Sequence, residues 1–292
     1  MPSESVTVKY LRIYTKDSLR SIYKEKELES VIQILFDHYL GFSKIDCITM
    51  AESFINVTIA RKIEYAVQKL QYGIPVQYVI GQAHFYNLDF YLDRNVLIPR
   101  KETEELVHWI INDINIKIKD QKKFKIIDIG TGSGCIAIVL KKNLDFADID
   151  AIDISEKALK VAKRNADLHN ISIRFLNYDI LSENIKLSQE KYDVIVSNPP
   201  YIEEKDMKIL GKNVLNFEPH RALFVPDDDP LLFYKSIIDF SLANLKRNGK
   251  LYFEINEKFG REIINILKEK GFRNIFLKKD LNNKDRMISA EL

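Results

Sequence analysis

Two hydrophobic rhythms divide the chain. Up to about residue 80, apolar residues recur at three- and four-residue intervals, the period of a helix with one buried stripe. Val31, Ile34, Leu35 and Tyr39 predict a helix from about Lys26 to Leu40, stopped by Gly41. Ala51, Ile55, Ile59, Ile63, Ala66, Val67 and Leu70 predict another, stopped by Gly73 and Pro75. Thr49-Met50-Ala51-Glu52 fits a capping box at its start, in which the threonine hydroxyl and the glutamate carboxylate satisfy free amides of the first turn. Between residues 83 and 98 the period shortens to two. Leu88, Phe90 and Leu92 alternate with Asp89, Tyr91 and Asp93, which predicts a strand with one wet face. Asp93-Arg94-Asn95 reads as a turn and Val96-Leu97-Ile98 as the returning strand, so a β-hairpin is expected to join two domains.

From residue 101 onward apolar runs of strand length alternate with helical patterns. The expected strands are Lys125–Ile129, Ile149–Asp153, Ser172–Asn177, Tyr192–Ser197 and Lys250–Ile255, with two more near Asn274–Lys278 and Met287–Glu291. The expected helices include Cys135–Lys142, Ser155–His169 with Ser155 as cap, Pro230–Leu245, and Lys258–Lys270 closed by Gly271. Such alternation implies an α/β domain whose mainly parallel sheet is covered on both faces. The organisation is therefore a helical domain over residues 1–82, a hairpin linker over 83–100, and an α/β domain over 101–292.

Two loops at strand ends carry candidate chemistry. Gly130, Gly132 and Gly134 alternate with Thr131 and Ser133 between a strand and a helix. Glycine lets the backbone turn sharply and lets a ligand approach it closely. Glycine also punctuates ordinary turns, so the loop by itself is a weak signal. Asp153, at the end of the next strand, can accept from both hydroxyls of a ribose. Asp179 can accept from an adenine amine while Ile180 packs on its ring, although Asp also serves as a cap or turn residue. Asp128 is structural or reaches the amino group of a methionine moiety. No lysine follows the loop as a phosphate-binding loop requires.

The second loop is Asn198-Pro199-Pro200-Tyr201. Proline restricts the residue before it and fixes its own φ. The Asn198 side-chain oxygen and the Pro199 carbonyl can accept both hydrogens of one planar NH2 group, with Tyr201 offering a flat face. The bland alternative is an ordinary Pro-Pro turn. Two such acceptors would raise electron density on an amide nitrogen and stabilise the positive charge that develops as it attacks a methyl donor. Five scattered histidines (38, 84, 108, 169 and 220) form no triad and read as surface or packing residues.

Composition narrows the rest. The 292 residues are 46% hydrophobic, and 44 basic against 42 acidic residues leave a net charge of +2. That balance makes no global electrostatic case for nucleic acid. Met1-Pro2-Ser3-Glu4-Ser5 is not the apolar start of a signal peptide, and no run approaches the roughly 20 apolar residues of a membrane helix. Cys47 and Cys135 make neither a zinc set nor a disulfide framework. A soluble, cytoplasmic protein without a metal site is expected.

Several segments together resemble the protein-glutamine methyltransferases of bacterial peptide chain release factors, often called the HemK family. They are the two loops, Gly73-Ile74-Pro75-Val76-Gln77-Tyr78-Val79-Ile80-Gly81, Leu97-Ile98-Pro99-Arg100 with Glu102-Thr103-Glu104, Glu218-Pro219 with Ala222-Leu223, and Phe253-Glu254-Ile255. The resemblance covers about residues 25 to 290. It implies a five-helix N-terminal domain that grips the release factor, and a seven-stranded Rossmann-like methyltransferase domain whose final strand pairs antiparallel. It implies S-adenosylmethionine as cofactor, S-adenosylhomocysteine as product, and the glutamine of a Gly-Gly-Gln loop as substrate. Gly130, Thr131, Gly132, Ser133 and Gly134 would hold the cofactor with Asp153, Asp179 and Ile180. Asn198, Pro199, Pro200 and Tyr201 would hold the glutamine amide, Asn198 standing beside the cofactor as well. The chain departs from the family pattern at Lys101, Ile180, Asn256 and Phe259. Two other readings stand beside this one. The same loop in an amino methyltransferase would hold the exocyclic NH2 of adenine or guanine in nucleic acid, and would want a basic groove and base flipping. A non-catalytic adapter would keep the fold without an intact Asn-Pro-Pro-Tyr loop.

Overall fold

The computed structural model describes residues 6–117, 124–182 and 190–292. Met1–Ser5, the stretch read above for a signal peptide, lies outside the described residues. The chain divides into two compact units, Met1–Gln82 with Gly211–Phe217 and Ala83–Leu210 with Glu218–Leu292.

In the first unit β1 (Val6–Thr7) leads into α1 (Val8–Leu19), followed by α2 (Glu25–Leu40), α3 (Asp46–Thr49), β2 (Phe54–Ile55), α4 (Val57–Gln71) and α5 (Val76–Ile80). Leu11, Leu28, Leu35, Phe36, Ile63, Val67 and Leu70 share its core. Gly41 closes α2 at φ +68, the left-handed geometry glycine adopts without penalty. The capping box at Thr49 is not formed. Thr49 ends α3, donating its hydroxyl to the Ile45 carbonyl at 3.1 Å. The long helix starts six residues past Ala51, where Asn56 Oδ1 accepts from the Thr58 amide at 2.8 Å. The reason lies in pairing: β2 is antiparallel to β1, with Ile55 opposite Val6, so Ile55 is buried from a strand and not from a helical face.

The hairpin also differs from expectation. Its strands are β3 (Gln82–Phe85) and β4 (Leu88–Tyr91), joined at Tyr86 and Asn87, whose φ values are +48 and +62. Two consecutive positive φ values make the turn whose twist suits paired strands. Asp93–Asn95 does turn, with the Val96 amide donating to the Asp93 carbonyl at 3.3 Å. Val96–Ile98 is not a strand, because the Ile98 amide goes to the Glu218 carboxylate at 3.3 Å.

The second unit continues with α6 (Lys101–Lys117), β5 (Phe124–Ile129), α7 (Cys135–Asn143), β6 (Ala147–Asp153), α8 (Glu156–Leu168), β7 (Arg174–Asn177), β8 (Tyr192–Ser197) and β9 (Ile202–Glu203). Next come α9 (Lys212–Phe217, in the first unit), β10 (Phe224–Val225), α10 (Leu232–Asn244), β11 (Leu245–Glu254), α11 (Gly260–Glu269), β12 (Arg273–Lys279) and β13 (Asp285–Glu291). Seven strands form one sheet in the order β12-β13-β11-β8-β5-β6-β7. β5, β6, β7, β8 and β11 run parallel, and β13 inserts antiparallel between β11 and β12. Alternate residues feed two cores. Ile126, Val194 and Val196 pack with α6 and α7, while Ile127, Ile129 and Ile195 pack with α10 and α11. No described helix is long and apolar enough to cross a membrane.

Candidate active site

Parallel register brings the two loops together. Ile129 lies opposite Ile152 on β6 and Ser197 on β8, and Asp153 lies opposite Asn177 on β7. The residues after β5, β7 and β8, together with Asp153, therefore emerge side by side at the carboxyl edge of the sheet. In open α/β sheets that edge is where ligands bind. Ser197 ties the two loop-bearing strands by donating its hydroxyl to the Ile129 carbonyl at 2.7 Å.

A cavity of about 450 Å³ opens there, within the range of small-molecule sites. Among the expected site residues its lining includes Gly130, Gly132, Asp153, Asp179, Ile180, Asn198, Pro199 and Pro200. Thr131, Ser133, Gly134 and Tyr201 do not line it. Their part is to shape it. Thr131 and Ser133 are buried, and Thr131 donates its hydroxyl to Asp128 at 2.6 Å. Gly134, at φ +82, starts α7 beneath Ala162 and Ile138, where an added Cβ would stand 3.1 Å from each. Tyr201 presents no flat face to this cavity. Its ring packs against the α10–α11 core and its hydroxyl donates to Glu254.

The glycine loop is held by backbone bonds that leave its inner side open. The Gly130 and Thr131 amides both donate to the Ile152 carbonyl at 2.9 Å. Gly130 and Gly132 have φ of +74 and +56, and a Cβ at either position would meet nothing within 4 Å. Such a cradle suits a ligand resting on the main chain. Asp153 orders the loop from the neighbouring strand: Oδ2 accepts from the Gly132 amide at 2.9 Å and Oδ1 from the Ser155 amide at 2.8 Å. Burial raises its pKa, opposed by those amides. Asp179 accepts from the Leu181 amide at 2.9 Å, a turn contact that still leaves lone pairs on the cavity side. Asp128 is fully buried and absent from the lining, so its structural reading is the one the geometry favours. Burial pushes its carboxyl up to about 7, against the Thr131 hydrogen bond that lowers it.

Several contributors were given no site role from the sequence, although Arg100, Thr103, Glu218 and Glu254 lie in segments that resemble the family. Asn165 on α8 bonds both the Tyr91 amide and carbonyl, at 2.7 and 3.0 Å, and the Ser133 carbonyl at 2.9 Å, so one buried amide joins β4 to the glycine loop. Arg94–Leu97, Pro219, Arg221 and Ala222 form further parts of the cavity wall. They are fixed by buried Glu218, which binds Arg100 at 2.7 Å as well as Ile98. Thr103 and Glu254 stand behind Asn198: the Asn198 Nδ2 donates to Thr103 Oγ1 at 3.1 Å, and that hydroxyl donates to Glu254 Oε2 at 2.6 Å. A carboxylate inside the apolar run Leu251–Ile255 is the signal that marked Glu254. Asn256, one of the departures, donates to the Tyr201 carbonyl at 3.2 Å and holds the Asn-Pro-Pro-Tyr loop from behind. His84, His108 and His169 make surface contacts with Asp89, Tyr86 and the Asp89 carbonyl. Cys47 and Cys135 are both buried and unbridged.

Residues 11–81 match the family model described as the PrmC N-terminal domain, and residues 114–217 that of the methyltransferase small domain. A release factor glutamine methyltransferase of Flavobacterium psychrophilum is 45% identical over 97% of this chain and 98% of its own length. One of Bacteroides thetaiotaomicron is 38% identical over 95% and 97%. Among solved structures, the METTL16 methyltransferase domain superposes with a TM-score of 0.53 at 21% identity, covering 70% of this chain and 89% of that one. Human methyltransferase 10 domain containing protein gives 0.51 at 19%, with the same coverage. At those identities the likeness is one of fold.

Proposed function

The chain belongs to the release factor glutamine methyltransferase family, and on that premise we propose that it transfers a methyl group from S-adenosylmethionine to the side-chain amide nitrogen of the glutamine in the Gly-Gly-Gln loop of a peptide chain release factor. It is a methyltransferase. The observation that carries the finer reading is the single cavity in which Asn198 and the two prolines meet the open side of the glycine loop and the carboxylates Asp153 and Asp179. The cofactor fits what lines that cavity: a glycine cradle without side chains, a half-buried carboxylate for a ribose, and Ile180 beside Asp179 for an adenine. When bound, it supplies a methyl group activated by sulfonium charge.

The chain's own residues do the rest. Asp153 would accept from the ribose hydroxyls while keeping the Gly132 amide in place. Asn198 Oδ1 and the Pro199 carbonyl would accept the two hydrogens of the substrate amide. That grip lets the nitrogen pyramidalise, aims it, and strengthens as positive charge develops, so it stabilises the transition state more than the ground state. No dedicated base is needed, because the nitrogen proton becomes acidic once the new N–C bond forms. The helical unit would grip the release factor, and the enzyme would work in the cytoplasm, with neither membrane nor nucleic acid as partner.

The test is methyl-labelled S-adenosylmethionine with a release factor and with its Gln→Ala loop variant. Label on the first alone is expected. Label on neither, with label on added DNA or RNA, would move the substrate to nucleic acid. Asn198→Ala should leave cofactor binding largely intact and lose turnover by about 100-fold or more, as when a preorganised transition-state contact is removed.

A further inference from the structure

We propose that Thr103 and Glu254 are positioning residues that decide which end of the Asn198 amide faces the substrate. The inference rests on the reading of Asn198 as an acceptor for the glutamine NH2. An asparagine amide is nearly symmetric in shape and opposite in polarity at its two ends. Turned one way, Asn198 offers an acceptor to the substrate. Turned the other, it offers two N–H groups to a group that itself has only N–H to give, and the clamp becomes a repulsion.

The polarity is set from behind. Phe253 on β11 lies opposite Ser197 on β8, so Glu254 stands beside Asn198, and Thr103 reaches the pair from the first turn of α6. Thr103 is 3% exposed and Glu254 is 1% exposed. An ionised carboxylate only accepts, and although burial raises the Glu254 pKa, the Thr103 hydroxyl, the Arg286 charge and the Tyr201 hydroxyl all favour the ionised form. Glu254 Oε2 takes the one proton of Thr103 at 2.6 Å, and Oε1 takes the Tyr201 hydroxyl at 3.2 Å. Having given its proton away, Thr103 Oγ1 can only accept, and the group 3.1 Å from it on Asn198 must be the NH2 end. The Oδ1 end is then the one left for the substrate. Tyr234 adds a third hydroxyl on the Glu254 carbonyl at 3.2 Å, which holds the end of β11 in place. A buried carboxylate is costly in an apolar strand. Here it gives a one-way relay, Asn198 to Thr103 to Glu254, and anchors the far end of the same Asn-Pro-Pro-Tyr loop through Tyr201.

Three variants separate polarity from packing. Thr103→Val keeps the shape and removes the hydroxyl. Thr103→Ser keeps the hydroxyl. Glu254→Gln keeps the shape but leaves one acceptor for two hydroxyl donors; with its NH2 end toward Thr103, the threonine proton turns toward Asn198 and favours the reversed amide. In the labelled-methyl assay on a release factor, Thr103→Val and Glu254→Gln should lower kcat by about 10- to 100-fold, below the loss from deleting a direct contact. Cofactor affinity by titration should stay within about twofold, and Thr103→Ser within about threefold of wild type, since neither touches the cofactor. In an Asn198→Ala background Thr103→Val should cost nothing further, because the two act through one contact. With nitrogen-labelled asparagine, the hydrogen-bonded Asn198 NH2 proton should be shifted in the wild type and lose that shift in Thr103→Val, a readout independent of turnover. The inference is overturned by a wild-type kcat in Thr103→Val, by a loss that persists without Asn198, or by Thr103→Ser as poor as Thr103→Val. A wild-type enzyme that leaves the release factor unlabelled overturns the substrate reading instead, and the inference falls with it.

Discussion

Asp128→Asn should change the pH dependence of stability by an amount that follows from burial. Asp128 is fully buried, and of its two oxygens only Oδ2 has a partner among the described residues, the Thr131 hydroxyl. Its carboxyl is pushed from 3.8 up to about 7, chiefly by burial. The folded chain therefore holds this proton more tightly than the unfolded chain. Stability is greatest while the group is protonated in both states and is lost as pH rises from about 4 through about 7. At about 1.4 kcal/mol per pH unit the full loss is about 4 kcal/mol, of which roughly 2–3 falls between pH 5 and pH 8. Asparagine cannot ionise, so the variant escapes this loss. It keeps an acceptor for Thr131 but puts a buried NH2 where Oδ1 lacks a partner, a pH-independent cost of about 1–3 kcal/mol. Urea unfolding followed by Trp109, the chain's one tryptophan, reports on this unit, because its ring stacks edge-on against Tyr252 of β11. The stability of the variant relative to wild type should rise by about 2–3 kcal/mol from pH 5 to pH 8. Other titrating groups are common to both proteins and cancel in the difference. A difference flat to within about 0.5 kcal/mol over that range would refute a raised Asp128.

Two further substitutions probe the cofactor side. Asp153→Ala removes a carboxylate and frees the Gly132 and Ser155 amides it holds, so the cofactor dissociation constant should rise about 10- to 100-fold, as for the loss of one to two charged hydrogen bonds; an unchanged value in calorimetry would take Asp153 out of the site. Gly130→Ala and Gly134→Ala should fail differently. Both force alanine to positive φ at a cost of about 1–2 kcal/mol, but at Gly130 the methyl enters open space at the cavity, while at Gly134 it presses on Ala162 and Ile138. Gly130→Ala should chiefly lose cofactor affinity and Gly134→Ala chiefly thermal stability, adding roughly 1–3 kcal/mol of overpacking; equal melting temperatures for the two would contradict that division.

The sheet was legible because its signals are local. Tyr192–Ser197 is an apolar run of strand length with a proline pair behind it, and the strand observed has those bounds. Ser155 bonds the Ala158 amide at 3.2 Å, as its place before α8 suggested. The errors fell where apolar spacing fits more than one partner. Ala51 and Ile55 continue the α4 stripe by spacing alone, and no local rule weighs that stripe against β1, 49 residues before Ile55. Val96–Ile98 has strand composition, yet the acceptor that claims its backbone is Glu218, 120 residues away.

The candidate site divides along the same line. Residues that would touch ligand sit in two short loops whose glycines and prolines constrain the backbone by themselves, and a short string shows them. The groups that give those loops a direction come from elsewhere in the chain. Asn165 lies 74 residues from Tyr91, Thr103 95 residues from Asn198, and Glu254 53 residues from Tyr201. Strand register is what brings the last pair within reach, because Phe253 opposite Ser197 follows from β11 lying beside β8. A substitution at Glu254 therefore acts through two hydroxyls on a loop it does not belong to. A Pro-Pro turn fixes where Asn198 stands, and the buried carboxylate fixes which of its ends looks out.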